Sequence, residues 1–349
     1  MVNFGSWSVL TTDFLFVLYL AINGVTFSAI LHLVNGKWRF YVRHLACAMS
    51  VLFPIAGILL VILLIQGHST FAWMSSTSGL QPAEAAHHLP NAWLSYPFLA
   101  AREIIGFLFI WGLYRMFIKY QALSEVDQSY AAQRRFRNIA LLIPVAYVLY
   151  GTMVSWDFEM TQLPGWRSDS YGFYHFQSNF HMFLGFFSVV LYFLIRSGKL
   201  TKEMPPHIMN FMAQFMLGMT ILWTYLYFTQ YLIMWYGRLP EDMDRYWSMM
   251  YHGLEPLWWT FLALKFVIPF VTLAITPNRH NPPVIAFVGC SIVLGTWIER
   301  YTWISGSVKP EYYHIPMTSL VDILFTVGIA VVAFIAVKWS MTRQGLIRA

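Results

Sequence analysis

The chain alternates between long apolar runs and short polar breaks. Nine runs are long enough to cross a bilayer, which takes about 20 helical residues. They cover residues 12–34, 45–66, 96–118, 138–156, 178–196, 208–235, 250–275, 282–303 and 317–340. Each is too long and too continuously apolar for barrel strands, so the pattern predicts helices. The expected fold is all-α, a polytopic transmembrane helix bundle forming a single domain over residues 1–349. No basic segment precedes the first run, which therefore reads as a retained span rather than a cleaved signal.

Composition narrows the class. Hydrophobic residues make up 58% of the chain and charged residues only 11%, against roughly 25% charged in soluble domains. That excludes an ordinary soluble domain, a disordered chain and a nucleic-acid-binding domain. The breaks differ in charge. Fifteen Lys and Arg residues fall on one side of the predicted membrane, and Arg167, Arg238, Arg245 and Lys309 on the other. By the positive-inside rule the N-terminus is outside and the C-terminus cytoplasmic. The three longer outer loops, 67–95, 157–177 and 236–249, are rich in Trp, Tyr, Pro and Gly and point to something docking there. The two cysteines, Cys47 and Cys290, offer no disulfide framework and no iron–sulfur site.

Ionisable residues at membrane depth each cost about 2.5–3.5 kcal/mol on insertion scales and call for a reason. Arg102 and Glu103 are adjacent in the third span, so each needs a partner on a neighbouring helix. Both a proton-relay or quinone-site role and a structural ion pair fit them. Asp157 and Glu159 end the fourth span, where they suit either a proton path or a helix cap. Gln177 and His181 lie one turn apart on one face of the fifth span, a pattern able to hydrogen-bond a quinone carbonyl. A satisfied bundle histidine fits equally. His252 and Glu255 open the seventh span on one face and form a further proton-handling candidate. Lys265 is placed to snorkel toward the cytoplasmic side. Glu299 and Arg300 read as an interfacial ion pair, and Asp322 as another proton-path candidate. No metal site is expected, since His87 and His88 are adjacent and do not face one point. Haem is not expected either, because no span carries paired deep histidines. No nucleotide loop or nucleophilic triad stands out.

Three stretches together carry a resemblance. YPFLAAREIIGFLFIWGLYRMF, SWDFEMTQLPGWRSDSYGFYHFQSNF and WTYLYFTQYLIMWYGRLPED resemble the membrane subunits of bacterial alternative complex III, a quinol:cytochrome c oxidoreductase. In particular they are similar to the ActF subunit, a relative of the NrfD and polysulfide-reductase membrane subunits. The matching positions are Arg102, Ser155, Asp157, Met160, Pro164, Trp166, Gly172, Tyr174, Gln230, Tyr231, Trp235, Tyr236, Pro240 and Glu241. The chain departs from the pattern at Phe158, where the family has Trp, and at Leu163 and Gly165, where it has an acid and a His. The family's Glu before the second-span proline is also absent, the stretch reading Cys47-Ala48-Met49. Family members commonly have ten spans rather than nine, and an outside N-terminus is what loss of the first would produce.

The resemblance implies a multi-pass subunit of the bacterial cytoplasmic (inner) membrane with no covalently bound cofactor. Its partners would be a homologous quinol-site membrane subunit, an iron–sulfur subunit and multihaem cytochrome c subunits, which carry the clusters and haems. Within this frame Glu103, Asp157, His252, Glu255 and Asp322 are the proton-path candidates. Gln177, His181 and Tyr231 are the quinone or quinol contacts. The missing acids favour a purely structural scaffold as the alternative. The membrane anchor of a molybdopterin or polysulfide-type oxidoreductase is another, and a secondary transporter is the last, although no broken helices in matching halves are evident.

Overall fold

The computed structural model describes residues 4–74, 93–163, 166–238, 240–251, 253–306 and 314–348. Among them, nine helical segments are long and apolar enough to cross a membrane, and the protein is a multi-pass helical bundle. The first span is α1 (Phe4–Leu33). The second joins α2 (Arg39–Cys47) and α3 (Phe53–Ile65) through a tight turn at Ala48–Leu52. Pro54 lies in the first turn of α3, where its missing N–H costs nothing. After the one-turn α4 (Gly67–Thr70) come α5 (Tyr96–Val126), α6 (Tyr130–Phe158), α7 (Tyr171–Arg196) and α8 (His207–Tyr236). A short helix α9 (Pro240–Tyr251) precedes α10 (Glu255–Leu262), a π-helical turn (Ala263–Val267) and α11 (Ile268–Ala274). The chain closes with α12 (Pro282–Ser305) and α13 (Leu320–Arg343).

Several boundaries differ from expectation: α5 runs on to Val126 rather than 118, and α6 and α7 begin at Tyr130 and Tyr171 rather than 138 and 178. α1 begins about two turns earlier, at Phe4. Its first turns are rich in Ser and Thr, and Thr11 and Thr12 donate to the carbonyls of Trp7 and Ser8, 2.9 and 2.8 Å away. Such back-bonding lets polar residues continue a helix. The predicted outer loop 236–249 is mostly the helix α9. Its charged and aromatic residues hide a face that buries Met243, Tyr246 and Met249.

α1 runs through the middle of the bundle, with 89% of its most apolar stretch buried, whereas the corresponding stretch of α13 is 11% buried and faces outward. Burial against other helices brings little hydrophobic gain in lipid, so close packing holds such spans together. α7 and α12 cross at two glycines. A Cβ added at Gly289 would stand 2.6 Å from the Gly185 carbonyl oxygen, and one added at Gly185 would stand 2.9 Å from that of Gly289. Only hydrogen side chains permit that approach.

The end of the bundle where α1 starts gathers most of the buried carboxylates and is its acidic end. The opposite end carries Arg39, Arg43, Arg137 and Lys202 and is its basic end.

Candidate functional site

Three buried charged groups lie at the acidic end. The first joins α5 to α6. Arg102 donates from Nε to Asp157 Oδ2 at 2.8 Å and from Nη2 to Oδ1 at 2.5 Å. Its Nη1 reaches the Trp93 carbonyl at 2.5 Å, and its guanidinium lies 4.1 Å from the centre of the Trp93 ring. Trp93 Nε1 donates back to Asp157 at 3.2 Å. Every strong donor and acceptor of the pair is thus used. Glu103, next in sequence, is 0% exposed. The Asp157 carboxyl lies within hydrogen-bonding reach and Tyr150 within electrostatic reach, and no other described residue donates to either Glu103 oxygen. A cleft of about 170 Å³ adjoins this group, lined by Trp93, Trp156, Met160 and Trp166 among others.

The second group draws on α6, α7, α8, α12 and the π-helical turn. Glu159 Oε2 accepts from Tyr171 Oη at 2.6 Å and from Arg300 Nη1 at 2.6 Å. His175 Nδ1 stands 2.9 Å from that oxygen and 2.8 Å from Arg300 Nη1, so its tautomer decides which of the two it bonds. Arg300 also lies 3.5 Å from Glu299. Glu299 in turn accepts from Trp223 Nε1 (2.8 Å), Ser178 Oγ (2.6 Å), Tyr174 Oη and Lys265 Nζ. The result is an alternating row, Lys265–Glu299–Arg300–Glu159, with two charges of each sign. Opposite charges paired in this way are the form in which buried ions survive, while Glu159 Oε1 and Arg300 Nε and Nη2 make no hydrogen bond among the described residues.

The row explains two departures from the sequence reading. Lys265 does not snorkel. It is fully buried and turned toward Glu299. Pro269, four residues on, has no N–H to give the Lys265 carbonyl, and Ile268 N–H reaches back five residues to Ala263 instead. That π-helical turn accompanies the inward aim of Lys265. Glu299 and Arg300 are not at the interface. Both are buried, and each has a closer opposite charge than the other. Arg245 of α9 caps this group, donating to the carbonyls of Glu159 (2.7 Å), Trp303 (2.9 Å) and Met160 (3.2 Å). Burial lowers its pKa from the ordinary value.

The third group links α1, α12 and α13. Asp13 accepts from Trp297 Nε1 at 2.8 Å and Thr326 Oγ1 at 2.7 Å. Asp322 pairs with His314 Nε2 at 2.6 Å and lies within electrostatic reach of Asp13. Its other oxygen is buried without a hydrogen bond. Asp322 sits in the first turn of α13, where a helix N-terminus favours an anion.

The remaining candidates divide. Gln177 and His181 do share a face, and it is turned to α8. Gln177 Nε2 donates to the Met219 carbonyl at 2.5 Å, and His181 Nε2 is 3.1 Å from Thr220 Oγ1. Both are 0% exposed at the α7–α8 interface, and Gln177 Oε1 and His181 Nδ1 are buried without a hydrogen-bond partner among the described residues. Tyr231 is half-buried with its ring 5.6 Å from that of Tyr246. It stands apart from both. Glu255 is exposed at the start of α10 and joins none of the three groups. His252 and Pro164 lie outside the described residues.

Asp13, His175 and His314 also take part, and sequence reasoning missed them. Asp13 is a lone acid in an apolar run, and the insertion cost applied to Glu103 would have singled it out. His175 was hidden among the aromatics of YGFYHFQSNFH.

A file of polar side chains continues toward the basic end. The Tyr19 ring lies 4.9 Å from the His175 ring and 6.0 Å from that of Tyr147. Tyr147 Oη donates to the Phe176 carbonyl at 3.3 Å, and Asn23 Nδ2 donates to the Asn179 carbonyl at 3.1 Å. Thr26 Oγ1 and Tyr114 Oη are 2.8 Å apart. Ser28 donates to Gln121 Oε1 at 2.8 Å, and Gln121 Nε2 lies 3.5 Å from His44 Nδ1. His44 Nε2 meets Glu125 at 2.9 Å. Four of these residues sit on α1, at 19, 23, 26 and 28.

Fold and site together define a multi-pass membrane bundle with charge groups buried at one end. Comparison with known protein families and with curated proteins returns no match.

Proposed function

We propose that this chain is an integral membrane subunit of a quinol-oxidising respiratory complex of the alternative complex III type, in a bacterial cytoplasmic membrane. The acidic end faces outward in this reading. There the chain anchors an iron–sulfur subunit and multihaem cytochrome c subunits, and it packs beside a homologous quinol-site subunit. Electrons travel on those partners. The observation that carries the reading is convergence. The three stretches that resemble the family are far apart in the chain yet meet at one end, through Arg102–Asp157 and through the Tyr174 and Tyr227 rings, 5.9 Å apart.

In this reading Glu103 is the proton-holding group. A buried carboxyl without a donor, beside a second carboxylate, is a place where one proton is shared between two acids. The polar file from Tyr19 to His44 supplies hydroxyls, amides and an imidazole toward the other face, the groups that hand protons along hydrogen bonds. Thr26 and Ser28 are two residues apart and point to different sides of α1. No hydrogen bond joins the Thr26–Tyr114 pair to the Ser28–Gln121 pair among the described residues, so transfer there needs a water.

A purely structural role is the second reading, and one observation favours it: the Lys265–Glu299–Arg300–Glu159 row is neutral and closely bonded. Quinol:cytochrome c turnover and proton release by the isolated complex separate the two. Glu103→Gln and His44→Ala lower proton release at least tenfold if the route operates. Unchanged turnover and proton release in both variants would leave the scaffold.

A further inference from the structure

We infer that the basic end carries a binding site for the phosphate of an anionic phospholipid, between the start of α2 and the first turns of α6. The inference is independent of the respiratory reading.

Cations crowd there beyond what the protein neutralises. Arg39, Arg43 and Arg137 all act electrostatically on the His32 ring, which packs tilted against Phe136 with ring centres 4.3 Å apart. Arg39 and Arg43 are four residues apart on α2, the spacing at which like charges repel along a helix. Lys202 adds a fourth charge, acting on His44 and lying 4.5 Å from the Tyr41 ring centre. Among the described residues, Glu125 is the one carboxylate within ion-pair distance. It is divided between Arg43 at 2.7 Å and His44 at 2.9 Å. Arg39 has a backbone bond, to the Gly36 carbonyl at 3.3 Å, and no carboxylate. The Nε–H groups of both Arg39 and Arg43 are buried and donate to nothing.

The surroundings match a lipid rather than a soluble anion. The cluster stands at helix ends, the depth at which lipid phosphates lie. Phe40 is 47% exposed, with the Arg39 and Arg43 guanidiniums 4.5 and 4.7 Å from its ring centre. An apolar ring flanked by two guanidiniums presents both an acyl-chain contact and a phosphate contact within one side chain's reach. The dipole of α2 adds to the attraction, since no side chain caps its N-terminus at Trp38.

The test is native mass spectrometry of the full chain in mild detergent, titrated with phosphatidylglycerol and, separately, with phosphatidylcholine. Wild type retains phosphatidylglycerol selectively. Arg39→Gln with Arg137→Gln removes two charges and weakens retention roughly 30-fold. Arg343→Gln with Arg348→Gln, at the same end on the last span and tail, leaves it unchanged. Arg137 is exposed, so Arg137→Gln alone keeps the test open if the double variant misfolds. It weakens retention by about fivefold. Equal loss in the control pair would mean diffuse surface charge and overturn the site. Displacement of the lipid by millimolar inorganic phosphate would assign the cluster to a small anion and overturn the lipid assignment.

Discussion

Arg102 and Asp157 meet through two parallel N–H···O bonds, 2.8 and 2.5 Å long, with the Asp157 side chain fully buried. The pair ties α5 to α6 at the acidic end. Breaking a buried pair by removing one partner costs about 3–5 kcal/mol, because the other charge is left without compensation. Asp157→Asn should therefore lower the apparent melting temperature in detergent sharply. Arg102→Met with Asp157→Leu should recover most of the loss. A double variant no better than the single one would mean that the pair contributes more than mutual compensation.

Glu103 behaves oppositely. No donor is lost on its replacement, so Glu103→Gln should leave thermal stability within about 1 kcal/mol of wild type. Stability and proton release thus separate at adjacent residues, and thermal melts of Glu103→Gln and Asp157→Asn side by side check this.

The ion row on α12 gives a third expectation. Lys265→Met leaves Glu299 facing Arg300 alone and should destabilise by about 3–5 kcal/mol. Adding Glu299→Gln restores balance only in part, because Arg300 then loses one of its two carboxylates. A double-mutant cycle at these positions should give a coupling energy of about 0.5–3 kcal/mol.

Helix crossing is tested at glycines. Gly289→Ala puts a methyl 2.6 Å from a backbone oxygen that cannot turn aside. A cost of about 1–3 kcal/mol follows from overpacking. Gly328→Ala, on the outward-facing α13 with nothing within 4 Å, should be neutral or stabilising. Thermal melts of the two variants check the contrast.

Asp127, between α5 and α6, accepts from the Ser129 N–H at 2.8 Å, which lowers its pKa below the ordinary 3.8. A lowered carboxylate stabilises the fold above its unfolded value, and the contribution is lost as pH falls through the folded value. Protection factors of the amides at the start of α6, corrected for the intrinsic pH dependence of exchange, should fall only below about pH 4. Asp127→Asn should flatten that acid limb.

The spans were legible because lipid demands about 20 apolar residues in a row, and all nine runs became helices. Ends were less legible. Ser and Thr continued α1 by bonding their own backbone, and α9 mixed charge with aromatics. The ion-pair character of Arg102, Glu299 and Arg300 was readable from insertion cost alone. Their partners were not. Which carboxylate faces Arg102 depends on how α6 is rotated, and Lys265 was re-aimed by a π-helical turn that no periodicity announces. Gln177 and His181 were correctly placed on one face, but sequence does not say whether a face meets a ligand or a neighbouring helix.

Purification of the chain from its native membrane in mild detergent, with mass spectrometry of what accompanies it and an absorption spectrum, tests the central proposal most directly. The account predicts multihaem c-type cytochrome absorption, an iron–sulfur subunit and a second, homologous membrane bundle in the same particle. Recovery of the chain with no redox partner would contradict it.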